Sequence, residues 1–80
     1  MIWEINTLAA EERRVFSRIL QIIENQMVRV HSFYGNAHDG SIRVTVIFSC
    51  EEDKGSRIEA LLSRLEDVYT VSVRPVQSQN

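Results

Sequence analysis

The sequence is 80 residues long with a mass of 9.3 kDa, which leaves room for one domain and none for a cleft between two. Apolar residues make up 44% of it and charged residues 25%, the balance of a folded chain and not a disordered one. Nine Lys and Arg stand against eleven Asp and Glu, a net charge of -2, so neither nucleic acid nor an anionic membrane is an expected partner. The single Cys, Cys50, excludes an internal disulfide and every cysteine-rich metal pattern. It points to a reducing compartment. No apolar run approaches the ~20 residues that span a bilayer, and Glu4 and Asn6 interrupt any leader pattern, so a cytoplasmic location is expected.

Residues 1–7 alternate. Met1, Trp3 and Ile5 share one side and Ile2, Glu4 and Asn6 the other, which predicts a strand. Over 8–26 the period lengthens. Val15, Phe16, Ile19, Leu20, Ile22, Ile23 and Met27 recur at helical spacing, with Glu11 and Glu12 expected in the first turn and Asn25 as a stop. Residues 27–34 predict a second strand, with Val28 and Val30 toward the core and Arg29 and His31 away from it. Gly35-Asn-Ala-His-Asp-Gly40 predicts a hairpin loop.

Residues 41–50 form the clearest strand. Ile42, Val44, Val46, Phe48 and Cys50 share one face; Ser41, Arg43, Thr45, Ile47 and Ser49 share the other. A polar connection follows over 51–55. Ser56-Arg-Ile-Glu59 reads as a capping box, and Ile58, Leu61, Leu62 and Leu65 as the stripe of a second helix. Residues 68–75 predict a last strand, with Tyr69, Val71 and Val73 in phase and Pro75 ending it. The ordered domain is then 1–76, and 77–80 a frayed tail.

Each helix has one apolar stripe, so both must cover a sheet. The order strand, helix, strand, strand, helix, strand predicts an α+β fold of ferredoxin-like βαββαβ type. It has a four-stranded antiparallel sheet with both helices on one face. The strand order is fourth, first, third, second, which leaves the second strand at an edge. Ile42, Val44, Val46 and Phe48 are expected beneath Phe16, Ile19, Ile23, Leu61 and Leu65.

Chemistry is sparse. His31 and His38 lack metal spacing, and Cys50 reads as core filler. Glu51, Glu52 and Asp53 read as a solvated connection. No pair suggests a general acid and base, so neither catalysis, metal nor cofactor is expected. The open face of the third strand, with Arg43, Thr45 and Ile47, lacks the aromatics that stack RNA bases. Phe33 and Tyr34 are adjacent, so only one of them faces out. The most unusual feature is Glu11-Glu12-Arg13-Arg14. It reads as a solvated, self-paired helix start, or as a binding or interface role for Arg13 or Arg14.

Four segments resemble the ACT domain, and most closely the small regulatory subunit of acetolactate synthase. Arg14-Val-Phe-Ser-Arg-Ile-Leu20 is similar to that family's Gly-x-Leu-Ser-Arg-Ile/Val-x. Val28-Arg-Val-His-Ser32 resembles Tyr/Phe-Asn-Ile-x-Ser, and Ile42-Arg-Val-Thr-Val46 resembles Ser-Arg-Met/Ile-Thr-Ile. Leu62-Ser-Arg-Leu-Glu-Asp-Val68 resembles Leu-x-Lys-Leu-Val-Asp-Val. The resemblance covers about residues 14–73.

It implies a non-catalytic regulatory subunit of branched-chain amino acid biosynthesis. Such a subunit binds and activates a thiamine-diphosphate-dependent catalytic large subunit, which owns the cofactor. The resemblance also implies a homodimer paired through the second strand, with Val28 and Val30 on the edge. An amino-acid effector would lie between the first loop of one chain and the second strand of its neighbour. The matching positions are Glu11, Arg13, Arg14, Arg29 and Val30. The family usually has Gly where this chain has Arg14, Asn where it has Glu11 and Arg29, and often Gly where it has Met27. Those departures imply loss of the usual valine site, as in the short valine-insensitive subunits. The alternative is a stand-alone sensor of an amino acid or another small molecule at a homodimer interface.

Overall fold

The computed structural model describes residues 1–51 and 54–76. The elements are β1 (Ile2–Ala10), α1 (Val15–Glu24), β2 (Arg29–His38), β3 (Ser41–Ser49), α2 (Gly55–Ser63) and β4 (Val68–Val76). They form one antiparallel sheet in the order β2-β3-β1-β4 with both helices on one face, the expected ferredoxin-like βαββαβ topology. The expected tail at 77–80 lies outside the described residues, as do Glu52 and Asp53 of the acidic connection.

The core is the helix-facing side of the two central strands. Trp3, Ile5 and Ala9 of β1 and Ile42, Val44, Val46 and Phe48 of β3 are buried beneath Val15, Ile19, Ile23, Ile58 and Leu62. Period two in both strands and period three to four in both helices produce this match. Three residues expected over the core differ: Leu61, Leu65 and Phe16. Leu61 and Leu65 are only half-buried, and Leu62 takes the central place. Phe16 is 36% exposed. It projects from the flank of α1 over β2, with its ring 6.5 Å from that of Phe33 in an edge-on arrangement.

Several boundaries move. β1 does not stop at residue 7 but continues to Ala10, with Leu8, Ala9 and Ala10 paired to Arg43, Ile42 and Ser41. Thr7 and Ala9 are buried in strand phase, and this tertiary pairing overrides the helix propensity of the run. The first helix therefore begins at Val15 and not at residue 8. Glu11 and Glu12 are in the connecting loop, and the first turn holds no acidic residue. Met27 is not part of the helix stripe. It adopts φ 60°, the left-handed conformation that closes many helices, and is 86% exposed.

β2 runs on to His38, so the glycine-bounded loop shrinks to Asp39-Gly40. Their φ values of 53° and 80° are those of a two-residue turn whose twist matches the strands. A bulge between Val30 and Ser32 reverses the phase of β2. Val28, Val30 and Phe33 pack against the core, and Tyr34 faces out. A second irregularity opposite Leu8 and Ala9 displaces Tyr69, which is 61% exposed instead of in phase with Val71 and Val73.

The capping box does not form. α2 starts at Gly55 with Lys54 at its cap, so Ser56 already lies in the first turn and cannot cap it. Lys54 instead reaches across to α1, where its ammonium donates to the Gln26 carbonyl at 2.6 Å. That places a cation at the negative end of α1 and ties the two helices together.

Candidate functional site

β2 is an outer strand of the sheet and the longest element of the edge on which α1 leaves Phe16 exposed. It carries no Pro and no Lys, the usual guards of an unpaired edge. Its two ends lie beside different groups.

At the His38 end sits the loop of residues 11–14. The Glu11 N–H donates to the Gly40 carbonyl at 2.9 Å, which anchors the loop against the hairpin turn. Glu11, Arg13 and Arg14 are all exposed there. Arg14 caps α1 with φ 71°. In that left-handed conformation an ordinary residue is strained and glycine is not. The opposite end of β2 carries Arg29, with Val28 and Val30 half-buried beside it. Arg29 pairs with Ser49 and His38 with Ser41, so the length of the strand separates the two groups. One chain thus brings Glu11, Arg13 and Arg14 together, and Arg29, Val28 and Val30 together, but does not join the sets.

Beside Arg29 is an open depression of about 560 Å³. Met1, Met27, Cys50, Glu51 and Lys54 contribute to its wall. Cys50 is half-buried and packs against the core as expected, but Met27, expected in the helix stripe, is exposed at this depression, which the sequence did not reveal. The one signal for it was the resembled family's Gly at the position of Met27, which marks a backbone that leaves the helix.

The helix-free face of the sheet carries a polar relay. Thr45 Oγ1 donates to Asn6 Oδ1 at 2.7 Å, and Asn6 Nδ2 donates to Glu4 Oε2 at 2.8 Å. Arg74 Nε donates to the same Glu4 oxygen at 2.9 Å. The Arg74 hydrogen bond, and then that of Asn6, hold the Glu4 carboxyl below the usual glutamate range. His31 Nε2 lies 2.9 Å from Ser49 Oγ on this surface. The described residues hold no group of three His, Cys, Asp or Glu side chains able to bind a metal. No described helix is long and apolar enough to cross a membrane.

Comparison with protein-family profiles gives no match, and neither does comparison with curated protein sequences. Solved structures do match. The chain is similar to the ACT domain of GTP pyrophosphokinase from Chlorobium tepidum, at 17% identity and a TM-score of 0.83, over 92% of this chain and 97% of that one. It is similar to the C-terminal domain of MgtC from Mycobacterium tuberculosis, at 18% identity and a TM-score of 0.73, over 94% and 86%. An ACT domain protein from Streptococcus pneumoniae matches at 11% identity and a TM-score of 0.67, over 92% and 89%. The chain has the fold of ACT domains. At these identities the likeness shows the fold alone.

Proposed function

We propose that the chain is a non-catalytic regulatory module of ACT type that holds an amino acid or another small molecule at the boundary of a homodimer. The observation that carries this reading is the division of the candidate residues between the two ends of β2. Two copies paired antiparallel along the outer side of β2 would set the start of one strand beside the end of the other. Arg29 of one copy then faces Glu11 and Arg14 of its neighbour, twice per dimer. A zwitterion fits such a place, with its carboxylate on a guanidinium and its ammonium on Glu11. The usual valine mode is lost, because Arg14 fills the space the family leaves to glycine. Phe16 would lie at the same boundary and add apolar contact.

Sedimentation equilibrium at micromolar concentration tests the dimer. A mass of about 19 kDa is expected, twice the 9.3 kDa chain. Phe16→Glu should shift it toward the monomer, and a monomer at every concentration overturns the reading. Calorimetric titration with valine, leucine, isoleucine and other amino acids then tests the ligand. Binding that Arg14→Ala or Arg29→Ala abolishes supports the shared site.

A second reading names the partner. The two positions where the resembled small subunits have glycine, Arg14 and Met27, are both left-handed here, with φ 71° and 60°. That agreement in backbone favours a subunit that activates the thiamine-diphosphate-dependent acetolactate synthase. Activation requires tighter binding to the active state of the partner than to its inactive state. Adding the chain to the catalytic subunit should raise its turnover. Neither activation nor co-sedimentation would end this second reading and leave the first standing.

A further inference from the structure

The side of the sheet that faces away from the helices is open. The molecule measures 38 × 24 × 17 Å, and its thin dimension is one sheet and one layer of helices, so no described element covers that side. We infer that this face is a docking surface for an acidic segment of a partner protein, with carboxylates of the segment held by Arg43 and Arg74. The inference does not depend on the function proposed above, because pairing along β2 leaves this face uncovered.

Charge is segregated between the two sides of the sheet. Arg43 is paired with Leu8, Arg74 with Glu4 and Arg29 with Ser49. Directly opposed residues of an antiparallel pair project to the same side. Glu4 and Leu8 alternate with buried Trp3, Ile5, Thr7 and Ala9, and Ser49 follows buried Phe48, so all three Arg lie on the helix-free side. The face holds one acid, Glu4, and that carboxylate already accepts from Arg74 and Asn6. Elsewhere among the described residues six basic side chains stand against eight acidic ones. Two of those acids lie at the ends of the face: Asp39, 3.0 Å from His38 in the hairpin turn, and Glu51, beyond β3 beside Arg29. The middle of the face therefore presents Arg43 and Arg74 with no unpaired carboxylate between them.

The two guanidiniums differ in how they are held. Arg74 gives its Nε to Glu4, which fixes the planar fork and leaves its terminal N–H groups for a second carboxylate. Arg43 is exposed and has no hydrogen-bond or ionic partner among the described residues. The two positions are four residues apart along the strands and two strands apart across them, about 16 Å in all. An extended segment of about five residues covers that distance. Thr45 and Ser72 lie between them, and hydroxyls can donate to the same segment. A nucleic acid fits less well. The two central strands present Ile2, Leu8, Thr45 and Ile47 on this side and no aromatic ring, so bases find no stacking platform.

The test uses the full chain and a fluorescent decapeptide of alternating Glu and Ser. The same peptide with Gln in place of Glu, and a single-stranded oligouridylate, serve as comparisons. Fluorescence anisotropy at low salt should show saturable binding of the Glu peptide alone, weakening as salt rises. Amide resonances of Thr45 and Ser72 should shift, and those of α1 and α2 should stay in place. Arg43→Glu should weaken binding at least fivefold. Arg57→Glu makes the same charge change on the exposed side of α2 and should leave binding unaltered. Both side chains are exposed, so both variants keep the fold. Equal weakening in the two variants would mean that net charge alone is at work, and overturns the surface. No binding of the Glu peptide, equal binding of the Gln peptide or tighter binding of the oligouridylate overturns it as well. A face closed by a second copy would show no peptide binding and a sedimentation mass that falls in Arg43→Glu, which also overturns it.

Discussion

The ring of Phe16 lies so close over Gly35 that a methyl group added there would overlap its Cε1 atom. Glycine at this β2 position is what lets α1 lay an aromatic ring across the sheet edge and meet Phe33. Gly35→Ala should push the ring outward and forfeit the edge-on contact with Phe33. Because Phe16 is already 36% exposed, it can move, and the expected cost is only about 1–2 kcal/mol in urea unfolding. Gly35→Ala should cost little more once Phe16 is alanine, since the two changes remove the same contact. Additive costs in the double variant would show that the ring and the glycine are not coupled. Truncating fully buried Phe48 to alanine should cost about 3–5 kcal/mol, well above Phe16→Ala.

Arg14 and Met27 hold left-handed φ values of 71° and 60°. For residues with a Cβ this region costs roughly 1–2 kcal/mol, against about 0.5–1 kcal/mol of extra chain entropy for glycine. Met27→Gly and Arg14→Gly should therefore each stabilise the fold by up to about 1 kcal/mol. Met27→Ala, which keeps a Cβ, should not. A denaturant midpoint raised equally by glycine and alanine would refute the backbone explanation.

Thr7 is 1% exposed, and its Oγ1 meets no hydrogen-bond partner among the described residues. It faces Val44 and Val71 across the sheet. Leaving a buried hydroxyl unpaired costs about 1–3 kcal/mol. Thr7→Val keeps the shape and should raise stability by about 1 kcal/mol. A loss of stability would mean that the hydroxyl has a partner after all.

Glu4 introduces an acid-sensitive element. Its carboxyl is depressed in the folded chain, so the relay with Arg74 and Asn6 stabilises the fold at neutral pH. That contribution fades as pH falls through the depressed value, because protonation is harder in the folded chain than in the unfolded one. The stability gap between the native chain and Glu4→Gln should be full at pH 7 and shrink below about pH 4. Arg74→Met should move the Glu4 titration, followed by carboxyl resonances, back up toward the ordinary range. A Glu4 titration insensitive to Arg74 would end this account.

Where alternation was unbroken, as in β3, the sequence led directly to the observed face. The same holds for Ile19 and Ile23 in α1. The reading failed where long-range pairing decided the outcome. Leu8, Ala9 and Ala10 have helical character, yet their partners in β3 keep them extended. The bulges near His31 and Tyr69 shift side-chain phase by one residue, and an aromatic or β-branched run gives no local sign of that. The capping box failed because the chain enters α2 two residues early, at a glycine. For the candidate site, residue types were legible and their places were not. The helical period put Glu11, Arg13 and Arg14 at a helix start, whereas they lie between β1 and α1, the loop that the family resemblance implied. The sulfur-lined depression joins residues from four separate parts of the chain, which no short motif reveals.

The two flanks of the sheet are not equivalent. β2 keeps an amide hydrogen at every position, although the bulge at Val30–Ser32 breaks its regular spacing, whereas β4 carries Pro75, which has no amide hydrogen to give. A newcomer aligning on the β4 flank would meet a missing donor. Strand addition at that flank would forfeit a hydrogen bond that addition at β2 keeps. In the proposed dimer, pairing through β2 would use that side in both participants, and growth would stop at two. The single imino acid of β4 would then weigh against an open-ended fibre.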